Sequence, residues 1–337
     1  MTRVFRVAKL RFVDRPPASA PWRKLHAVAD AAVPAAEKAF MLAVRDFRAA
    51  IDMEEFANAI ALRTDADMAI VLLPWAVLER SLEQRLLPIL RSVRDGGAEV
   101  AAANLGSQLK KPLAIAKAKD PKKKPKDPKE PTISGEIRFD LRNPRAEQHI
   151  AQHGARLVQM VTDETRAAIR QVVLRGQEQG GVPVREQAKR IAAILRRDIG
   201  LNAPQARALV NFEAGLIAND TAPSKVRQLV AARREDMIGQ RSRVIARQET
   251  LTGAKEGQQE VWRQARSERL IPSTVKRKWL TQRHVNANNP CPICEPMNGQ
   301  IRGLEEPFVS PYNGASSMGE GMHVGCICAV VLEIPDL

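Results

Sequence analysis

The chain has 337 residues, of which 44% are hydrophobic and 27% charged, a composition typical of a globular protein with a sizeable core. The 53 Lys and Arg residues exceed the 38 Asp and Glu residues, so the formal net charge is +15 and an anionic partner is expected. Aromatic residues make up only 4%, which disfavours a stacking platform for single-stranded nucleic acid, and the longest apolar run, "MAIVLLPWAVL", is too short to span a bilayer.

Residues 1–105 are predicted to form an N-terminal helical domain. The segment "AAVPAAEKAFMLAVRDFRAAIDMEEFANAIALR" places an apolar stripe that includes Phe40 on one face, as an amphipathic helix requires. In "LPWAVLERSLEQRLLPILRSVRDGG", apolar residues recur every three or four positions between Pro74 and the glycine pair. This second segment predicts a helix that stops at Gly96 and Gly97.

Residues 106–132 are predicted to form a solvated linker rich in lysine and proline. Nine lysines and five prolines occur in "KKPLAIAKAKDPKKKPKDPKEP", which has hardly any large apolar side chains. Such a composition cannot bury enough surface to order itself. A second interpretation, compatible with the first, is a polybasic strap that contacts DNA.

Residues 133–270 are predicted to form an elongated helical domain. "TDETRAAIRQVVLRGQEQGG" opens with a threonine cap and two acidic residues and closes at glycines, which favours a helix. Two shorter helices are predicted in "VPVREQAKRIAAILRRDIG", which stops at Gly200, and in "NAPQARALVNFEAGLI", which Asn202 caps. The segment "PSKVRQLVAARREDMIGQRSRVIARQETLTGAKEGQQEVWRQARSERL" predicts one long helix or two consecutive ones.

Positive charge is concentrated in the last of these segments. Between Lys225 and Arg283 there are 15 Lys and Arg residues but only 6 Asp and Glu residues. A basic helical surface predicts non-specific contacts with the phosphate backbone of double-stranded DNA. The candidate DNA-binding residues are Lys122, Lys123, Lys124 and Lys126 in the linker and Arg233, Arg234, Arg241 and Arg243 in the helical segment.

Residues 271–337 contain all four cysteines and are predicted to form a small Cys/His lobe that is like a zinc knuckle. "CPIC" has the C-x2-C spacing that supplies two thiolates from one turn, and "HVGCIC" adds three further candidates. The candidate metal ligands are Cys291, Cys294, His323, Cys326 and Cys328. Five candidates compete for four tetrahedral positions. The first three cysteines are favoured, and either His323 or Cys328 is the fourth ligand.

Energetic arguments favour a structural zinc ion over the alternatives. Closing the loop of about 30 residues between the two halves costs on the order of 3 kcal/mol, whereas a structural zinc site returns roughly 10 to 16 kcal/mol. A disulfide would return only about 3 to 4 kcal/mol and is disfavoured in a reducing cytoplasm. Two alternatives stay open, namely reduced cysteines that only pack and disulfides that form after release from a cell.

The sequence motifs do not predict an enzyme. No G-x-S-x-G, Walker-type or G-x-G-x-x-G motif occurs in a usable context. A Cys291 nucleophile with His323 as its base is a weaker interpretation, because the neighbouring cysteines favour metal ligation. His149 and His153 lie one helical turn apart, but a zincin needs glutamate where Ile150 stands, so exposed helix histidines are favoured. We therefore name no catalytic residue.

Three sequence blocks carry a family resemblance. They are "FDLRNPRAEQHIAQHGARLVQMVTDETRAAIRQVV", "RSRVIARQETLTGAKEGQQ" and "KWLTQRHVNANNPCPICEPMNGQ", the last followed by "HVGCIC". Together they resemble the phage Mu F-like, head-morphogenesis or minor capsid protein family. The first resembles the family's opening segment, the second its I-A-R-T-E helix, and the third its closing W, C-x2-C, G and H-P-x-C-R-C pattern. Gln248, Val324 and Ile327 stand where threonine, proline and arginine are usual. The resemblance covers about residues 139–330.

This resemblance implies a minor head protein in the virion of a tailed bacteriophage. It implies the portal protein, the major capsid protein and packaged DNA as partners, a role in head morphogenesis and in DNA packaging or delivery, and no catalytic residues. The N-terminal stretch "MTRVFRVAKLRFVDRPP" lacks the apolar region of a secretory signal, so we expect synthesis in the host cytoplasm. The competing hypothesis is a zinc-dependent DNA-binding regulator or recombinase-type protein acting in the cell, although no helix-turn-helix signature is evident.

Three further residues are expected to have structural roles. Arg247 and Glu249 are expected to form a paired polar anchor within the helix bundle, or else to be two solvated helix charges. Trp279 is expected to belong to the core and to rest against the cysteine knuckle. The predicted fold class is mainly α, with an N-terminal helical domain, a Lys/Pro-rich linker, an elongated helical domain and a small C-terminal Cys/His lobe.

Overall fold

The computed structural model describes residues 20–62, 70–109, 113–115, 137–140, 143–178, 184–281, 291–319, 321–323 and 325–333. The helices in this part of the chain are α1 (Ala20–Ala50), α2 (Met53–Leu62), α3 (Trp75–Leu109), α4 (Pro144–Glu178), α5 (Val184–Asp198), α6 (Ala203–Ala218) and α7 (Pro223–Ser267). The strands are β1 (Leu113–Ile115), β2 (Ile137–Phe139), β3 (Lys276–Leu280), β4 (Ile301–Gly303), β5 (Phe308–Val309), β6 (Ser316–Ser317) and β7 (Ala329–Glu333). The fold is mainly α-helical, as the sequence predicts, and most of its strands lie in the C-terminal lobe.

Helices α3 and α7 cross with their backbones in direct contact. A Cβ atom added to Gly97 would lie 2.0 Å from the carbonyl oxygen of Ala254, and one added to Gly257 would lie 1.9 Å from that of Arg94. Only glycine allows so close an approach. The prediction that the helix stops at Gly96 and Gly97 is wrong, because α3 continues through both. Packing against α7 outweighs the helix-propensity cost of about 1 kcal/mol per glycine.

The N-terminal helices share one hydrophobic core with the helices that follow the linker. Phe40 and Phe47 from α1 lie in the same buried cluster as Val161 from α4 and Ile245 from α7. The prediction of a separate N-terminal domain over residues 1–105 is therefore corrected for its described part. Amphipathic helices leave an apolar face that must be buried, and here the helices after the linker cover it.

The first part of the predicted linker, residues 106–132, belongs to regular structure. Helix α3 continues to Leu109, and β1 pairs in parallel with β2, so that Leu113 lies opposite Ile137. The N-terminal boundary of the linker is corrected accordingly. The lysine-rich run that contains Lys122, Lys123, Lys124 and Lys126 lies outside the described residues.

Helices α5, α6 and α7 begin and end close to the signals that the sequence contains. Gly200 follows α5 with a φ of +104°, a backbone conformation that favours glycine. Oδ1 of Asn202 accepts a hydrogen bond from the amide of Gln205 at 3.0 Å, and the Gln205 side chain accepts one from the Asn202 amide at 3.2 Å. This capping box starts α6. Helix α7 is one continuous helix of 45 residues, which decides between the two sequence-based alternatives.

The C-terminal lobe contains a three-stranded antiparallel sheet in the order β4, β3, β7. Trp279 in β3 lies opposite Val330 in β7, and β5 pairs with β6 beside this sheet. The lobe packs on the C-terminal half of α7, where Trp262 joins the apolar cluster that contains Trp279. Among the described helices, none has the combination of length and apolarity that a membrane crossing needs.

Candidate metal centre

Two tight turns of the lobe carry the predicted metal ligands. In the first, the amide of Cys294 donates a hydrogen bond to the carbonyl of Cys291 at 3.1 Å. In the second, between β6 and β7, the amide of Cys326 donates to the carbonyl of His323 at 3.1 Å, and Gly325 has a φ of +78°. A tight turn lets residues three apart in sequence contribute ligands to one metal ion.

The five predicted ligand side chains form two overlapping groups. Nε2 of His323 lies 3.2 Å from Sγ of Cys291 and 3.1 Å from Sγ of Cys294. Sγ of Cys294 lies 3.7 Å from Sγ of Cys326, and Cys328 completes a second group with these two cysteines. Within each group all ligand atoms lie within 4.8 Å of one another. The cluster could therefore hold a metal ion, and Cys294 belongs to both groups.

Three of the distances between candidate ligand atoms are close to the edges of a tetrahedral site. Bonds of about 2.3 Å to sulfur and about 2.0 to 2.1 Å to nitrogen place neighbouring ligand atoms roughly 3.5 to 3.8 Å apart. The 3.7 Å between the Cys294 and Cys326 sulfurs equals such an edge, and the sulfur-to-nitrogen distances are slightly shorter. A disulfide needs about 2.05 Å between its sulfurs. All four cysteines are free thiols in this structure.

Hydrogen bonds within the cluster make one thiol much more acidic than its neighbour. Bonds with Cys294 and Cys328 lower the pKa of Cys326 far below its usual range, and the ammonium of Lys255 lowers this pKa further, although burial opposes the shift. Hydrogen bonds to Cys326 and Cys328, with burial, raise the pKa of Cys294. Metal ligation needs thiolates, so a bound cation would displace any protons on its thiol ligands.

One face of α7 supports the second ligand turn. Oε1 of Gln248 accepts a hydrogen bond from the amide of Gly325 at 3.0 Å. Eleven residues further along the helix, Nε2 of Gln259 donates to the carbonyl of Met318 at 2.7 Å. Trp262 on the same part of α7 packs in the apolar cluster around the cysteines. The C-terminal lobe is thus attached to the helical bundle through α7.

Trp279 is fully buried beside the cysteines. It lies in the apolar cluster that contains Cys294, Cys326 and Cys328, and its ring centroid is 5.4 Å from that of Phe308. The Trp279 amide donates to the carbonyl of Gln300 at 2.9 Å, which ties β3 to the segment after the first ligand turn. The structure places this side chain in the core of the lobe, where it contacts no solvent.

Arg247 and Glu249 bind different neighbours rather than each other. Glu249 is only 7% exposed, and its carboxylate lies 2.6 Å from Nε2 of His153 in α4. The Arg247 guanidinium lies 3.8 Å from the carboxylate of Asp30 in α1. Glu249 therefore joins α7 to α4, and Arg247 joins α7 to α1. The alternative, that both residues are solvated helix charges, is wrong for Glu249.

The expectation that His149 and His153 are exposed is wrong. His149 lies 3.1 Å from the carboxylate of Glu256, and His153 lies close to that of Glu249, so both imidazoles face α7. Both histidines also line a cavity of about 240 Å³ between α4 and α7. Burial alone would lower the pKa of His153, but the hydrogen bond and charge of Glu249 outweigh it and raise this pKa. Periodicity shows which residues share a face, but only packing decides what that face meets.

Two of the four predicted DNA-binding arginines lie in the interior. Nε of Arg234 is 2.7 Å from the carboxylate of Asp198, and Arg234 is only 7% exposed. Arg241 is 5% exposed and its guanidinium contacts Glu164 at 2.8 Å. The DNA-binding assignment of both is corrected, because their guanidinium groups already bind buried or partly buried carboxylates.

The other two predicted arginines of α7 remain accessible. Arg243 is exposed and donates to the carbonyl of Gly239 at 3.1 Å, while Arg233 is partly exposed near Asp236 at 3.9 Å. The structure adds a basic surface on α5. Its exposed cations are Arg185, Lys189, Arg190 and Arg197. These side chains are exposed to solvent, although Arg190 already contacts the carboxylate of Glu186 at 3.3 Å.

Two buried titratable residues near the lobe were not singled out from the sequence. Lys255 in α7 is only 2% exposed. His26 in α1 is 5% exposed, and its pKa is lowered to about 4, first by burial and then by the charges of Lys255 and Arg247. His26 is therefore neutral at physiological pH. The one sequence signal for Lys255 is its register with Gln248 and Gln259 on one face of α7.

Comparison of the chain with protein-family models, with curated proteins and with solved structures found no match.

Proposed function

We propose that this protein is a minor head protein of a tailed bacteriophage that binds the portal or the capsid interior and the packaged DNA. The resemblance of three sequence blocks to Mu F-like proteins carries this proposal. In support, the blocks are contiguous in space. Helix α4 carries the first, α7 the second and the lobe the third, and the contacts of Glu249 with His153 and of Gln248 with Gly325 join them.

The metal centre of this protein is proposed to hold a structural zinc ion. Thiolate and imidazole ligands suit zinc, and four protein ligands leave no open position for a substrate or a reactive water. The proposed ligands are Cys291, Cys294, His323 and Cys326. His323 is preferred to Cys328 because its Nε2 lies within 3.2 Å of both cysteines of the first turn. The zinc would hold two loops together that have little regular structure.

The proposed role is binding rather than turnover. Charge supports DNA as one partner, since the formal net charge is +15 and α5 exposes a basic face. Contacts of this kind bind phosphates without reading sequence. Affinity for unrelated duplexes should therefore be uniform and should fall steeply as salt rises. A strong preference for one duplex sequence would instead favour the regulator or recombinase-type alternative.

Quantitative mass spectrometry of purified phage particles tests the virion assignment. The expected result is that the chain co-purifies with the portal protein in few copies per particle and persists after nuclease treatment and washing. Particles that assemble and package DNA but lack the chain would contradict the proposal. Metal analysis of the same chain, expressed and purified without added zinc, tests the metal centre separately. One zinc per chain is expected.

A further inference from the structure

A groove of about 310 Å³ lies between helices α5 and α6. Its floor consists of buried apolar side chains, which include Val172 of α4, Leu209 of α6 and Val230 of α7. Ile194 of α5 forms part of one wall, and Ile217 of α6, which is 61% exposed, forms part of the other. The apolar surface of this groove is therefore open to a partner.

One face of α6 supplies the second wall. Val210, Ala214 and Ile217 are spaced by four and three residues, so they share this face, and all three line the groove. A single exposed apolar side chain on a protein surface is ordinary. Three of them beside an apolar floor instead form a continuous surface. An apolar groove between two helices is the geometry that binds an amphipathic helix.

The charge at the edge of the groove is mainly positive. Arg197 of α5 and Arg207 of α6 are exposed, whereas Glu213 is the one exposed carboxylate among the described residues that line the groove. The carboxylate of Asp198 also lines it, but Nε of Arg234 binds this carboxylate at 2.7 Å. The balance favours an occupant that has acidic residues beside its apolar face.

The two longest segments outside the described residues do not match this charge. Residues 1–19 contain five Lys and Arg residues and one acidic residue, and residues 116–136 contain seven Lys residues and four acidic residues. Repulsion between like charges disfavours both segments beside Arg197 and Arg207. Charge therefore favours a separate protein chain over a segment of this one.

Nucleic acid fits the groove less well than a protein helix does. Phosphate groups gain nothing from an apolar floor. None of the described residues that line the groove is aromatic, so there is no ring on which a base could stack. An amphipathic helix uses both the apolar floor and the cations at the edge.

We propose that the groove between α5 and α6 binds an acidic amphipathic helix of a partner protein. Apolar side chains at every third or fourth position of that helix fill the groove, and its acidic side chains contact Arg197 and Arg207. The described residues that line the groove belong to α4, α5, α6 and α7, and none belongs to the C-terminal lobe. Binding therefore goes beyond the proposed function, because it depends on neither the zinc ion nor the virion assignment.

Fluorescence anisotropy with a synthetic helix tests the groove. The probe is a labelled peptide of about five helical turns, with leucine at every third or fourth position and glutamate on both flanks of that stripe. The full-length wild type should bind it. Ile217→Glu places a carboxylate in the apolar wall and should bind at least about tenfold more weakly. Ala214→Glu, a second exposed position of the same wall, should weaken binding in the same direction.

Tyr312→Glu is the matched control for these two variants. Tyr312 lies in the lobe and is 63% exposed, close to the 61% of Ile217, but it does not line the groove. This variant should bind the peptide as the wild type does. Equal losses of affinity in Tyr312→Glu and Ile217→Glu would overturn the proposal, since the peptide would then bind without using the groove.

Charge reversal on both partners tests the edge of the groove. A second peptide carries lysine wherever the first carries glutamate, and the wild type should bind it more weakly. Arg207→Glu should weaken binding of the glutamate peptide by about two- to fivefold and should tighten binding of the lysine peptide. Equal affinity of the wild type for the two peptides would contradict an acidic partner.

Other results would also overturn the proposal. One is a wild type that binds neither peptide, and another is an Ile217→Glu variant that binds as the wild type does. A dimer in sedimentation that Ile217→Glu abolishes would show that a second copy covers the groove. A matching loss of duplex DNA affinity in Ile217→Glu would assign the groove to nucleic acid. None of these results bears on zinc content or on copy number in particles, so they leave the proposed function standing.

Discussion

Where α3 crosses α7, glycines bring two backbones into contact, whereas in the C-terminal lobe two turns meet through thiols and an imidazole. The crossing is stabilised by close packing, which needs small residues at fixed positions. The lobe has short strands joined by long connections. A metal bound at its Cys/His cluster could hold these connections together. The bundle and the lobe should therefore respond to different perturbations.

Loss of the metal is expected to have the largest effect and to fall on the lobe alone. Cys294→Ser removes the ligand that both groups share, so most of the roughly 10 to 16 kcal/mol of metal binding should be lost. Zinc content should fall to near zero and the fluorescence of buried Trp279 should change, while the far-ultraviolet circular dichroism of the bundle stays. Cys328→Ser is the control and should retain zinc. Equal loss in both variants would contradict the assignment of His323.

The second perturbation breaks a buried ion pair in the bundle. Arg234→Met leaves the Asp198 carboxylate buried without its closest partner and should lower the free energy of unfolding by about 3 kcal/mol. The adjacent and more exposed Arg233→Met should change it by less than about 0.5 kcal/mol. Urea unfolding measures both.

For DNA binding, we expect the Arg233 substitution to have the larger effect and the Arg234 substitution the smaller one. If α7 contacts phosphates, Arg233→Met should weaken the salt dependence of duplex binding. The slope of log affinity against log salt concentration should become smaller by about one. Folded Arg234→Met should bind duplex DNA as the wild type does. A loss of DNA affinity in Arg234→Met alone, at a temperature where it is folded, would restore the interior arginine as a DNA contact.

Replacement of glycine by alanine, made separately at two positions, tests the helix crossing. Gly257→Ala places a methyl group against the α3 backbone and should destabilise the bundle by about 1 to 3 kcal/mol. Gly215→Ala meets no atom within 4 Å and should stabilise α6 by about 0.5 to 1 kcal/mol. Thermal melting of both variants should therefore shift in opposite directions. Shifts of the same sign would show that the crossing tolerates separation of its backbones.

The smallest expected effect is a pH dependence at the contact between α4 and α7. The pKa of His153 is raised in the folded state, so the bond to Glu249 stabilises fully below the unfolded pKa of about 6.5 and is lost as pH rises through the folded pKa. His153→Gln should cost on the order of 1 kcal/mol at acidic pH and less at alkaline pH. Urea unfolding between about pH 5 and pH 9 measures this difference. A cost independent of pH would show that the charge of His153 does not contribute.

Local signals predicted the helical elements because they act over a few residues. Apolar periodicity, the Asn202 capping box and the positive-φ Gly200 each depend on near neighbours. The C-x2-C spacing identified the first ligand turn for the same reason. The glycine pair at 96 and 97 was misinterpreted because a helix partner more than 150 residues away reverses its usual meaning.

The sequence by itself determined the mainly helical fold, the positive charge and the five candidate ligands, since each follows from residue type and spacing. Only the tertiary structure decided which arginines are buried, what His149 and His153 face, and that Lys255 of α7 is buried. Periodicity defines the faces of a helix but not their partners. The partner of each face depends on contacts between distant segments, and those contacts set the burial of each side chain and bring the Cys/His cluster together.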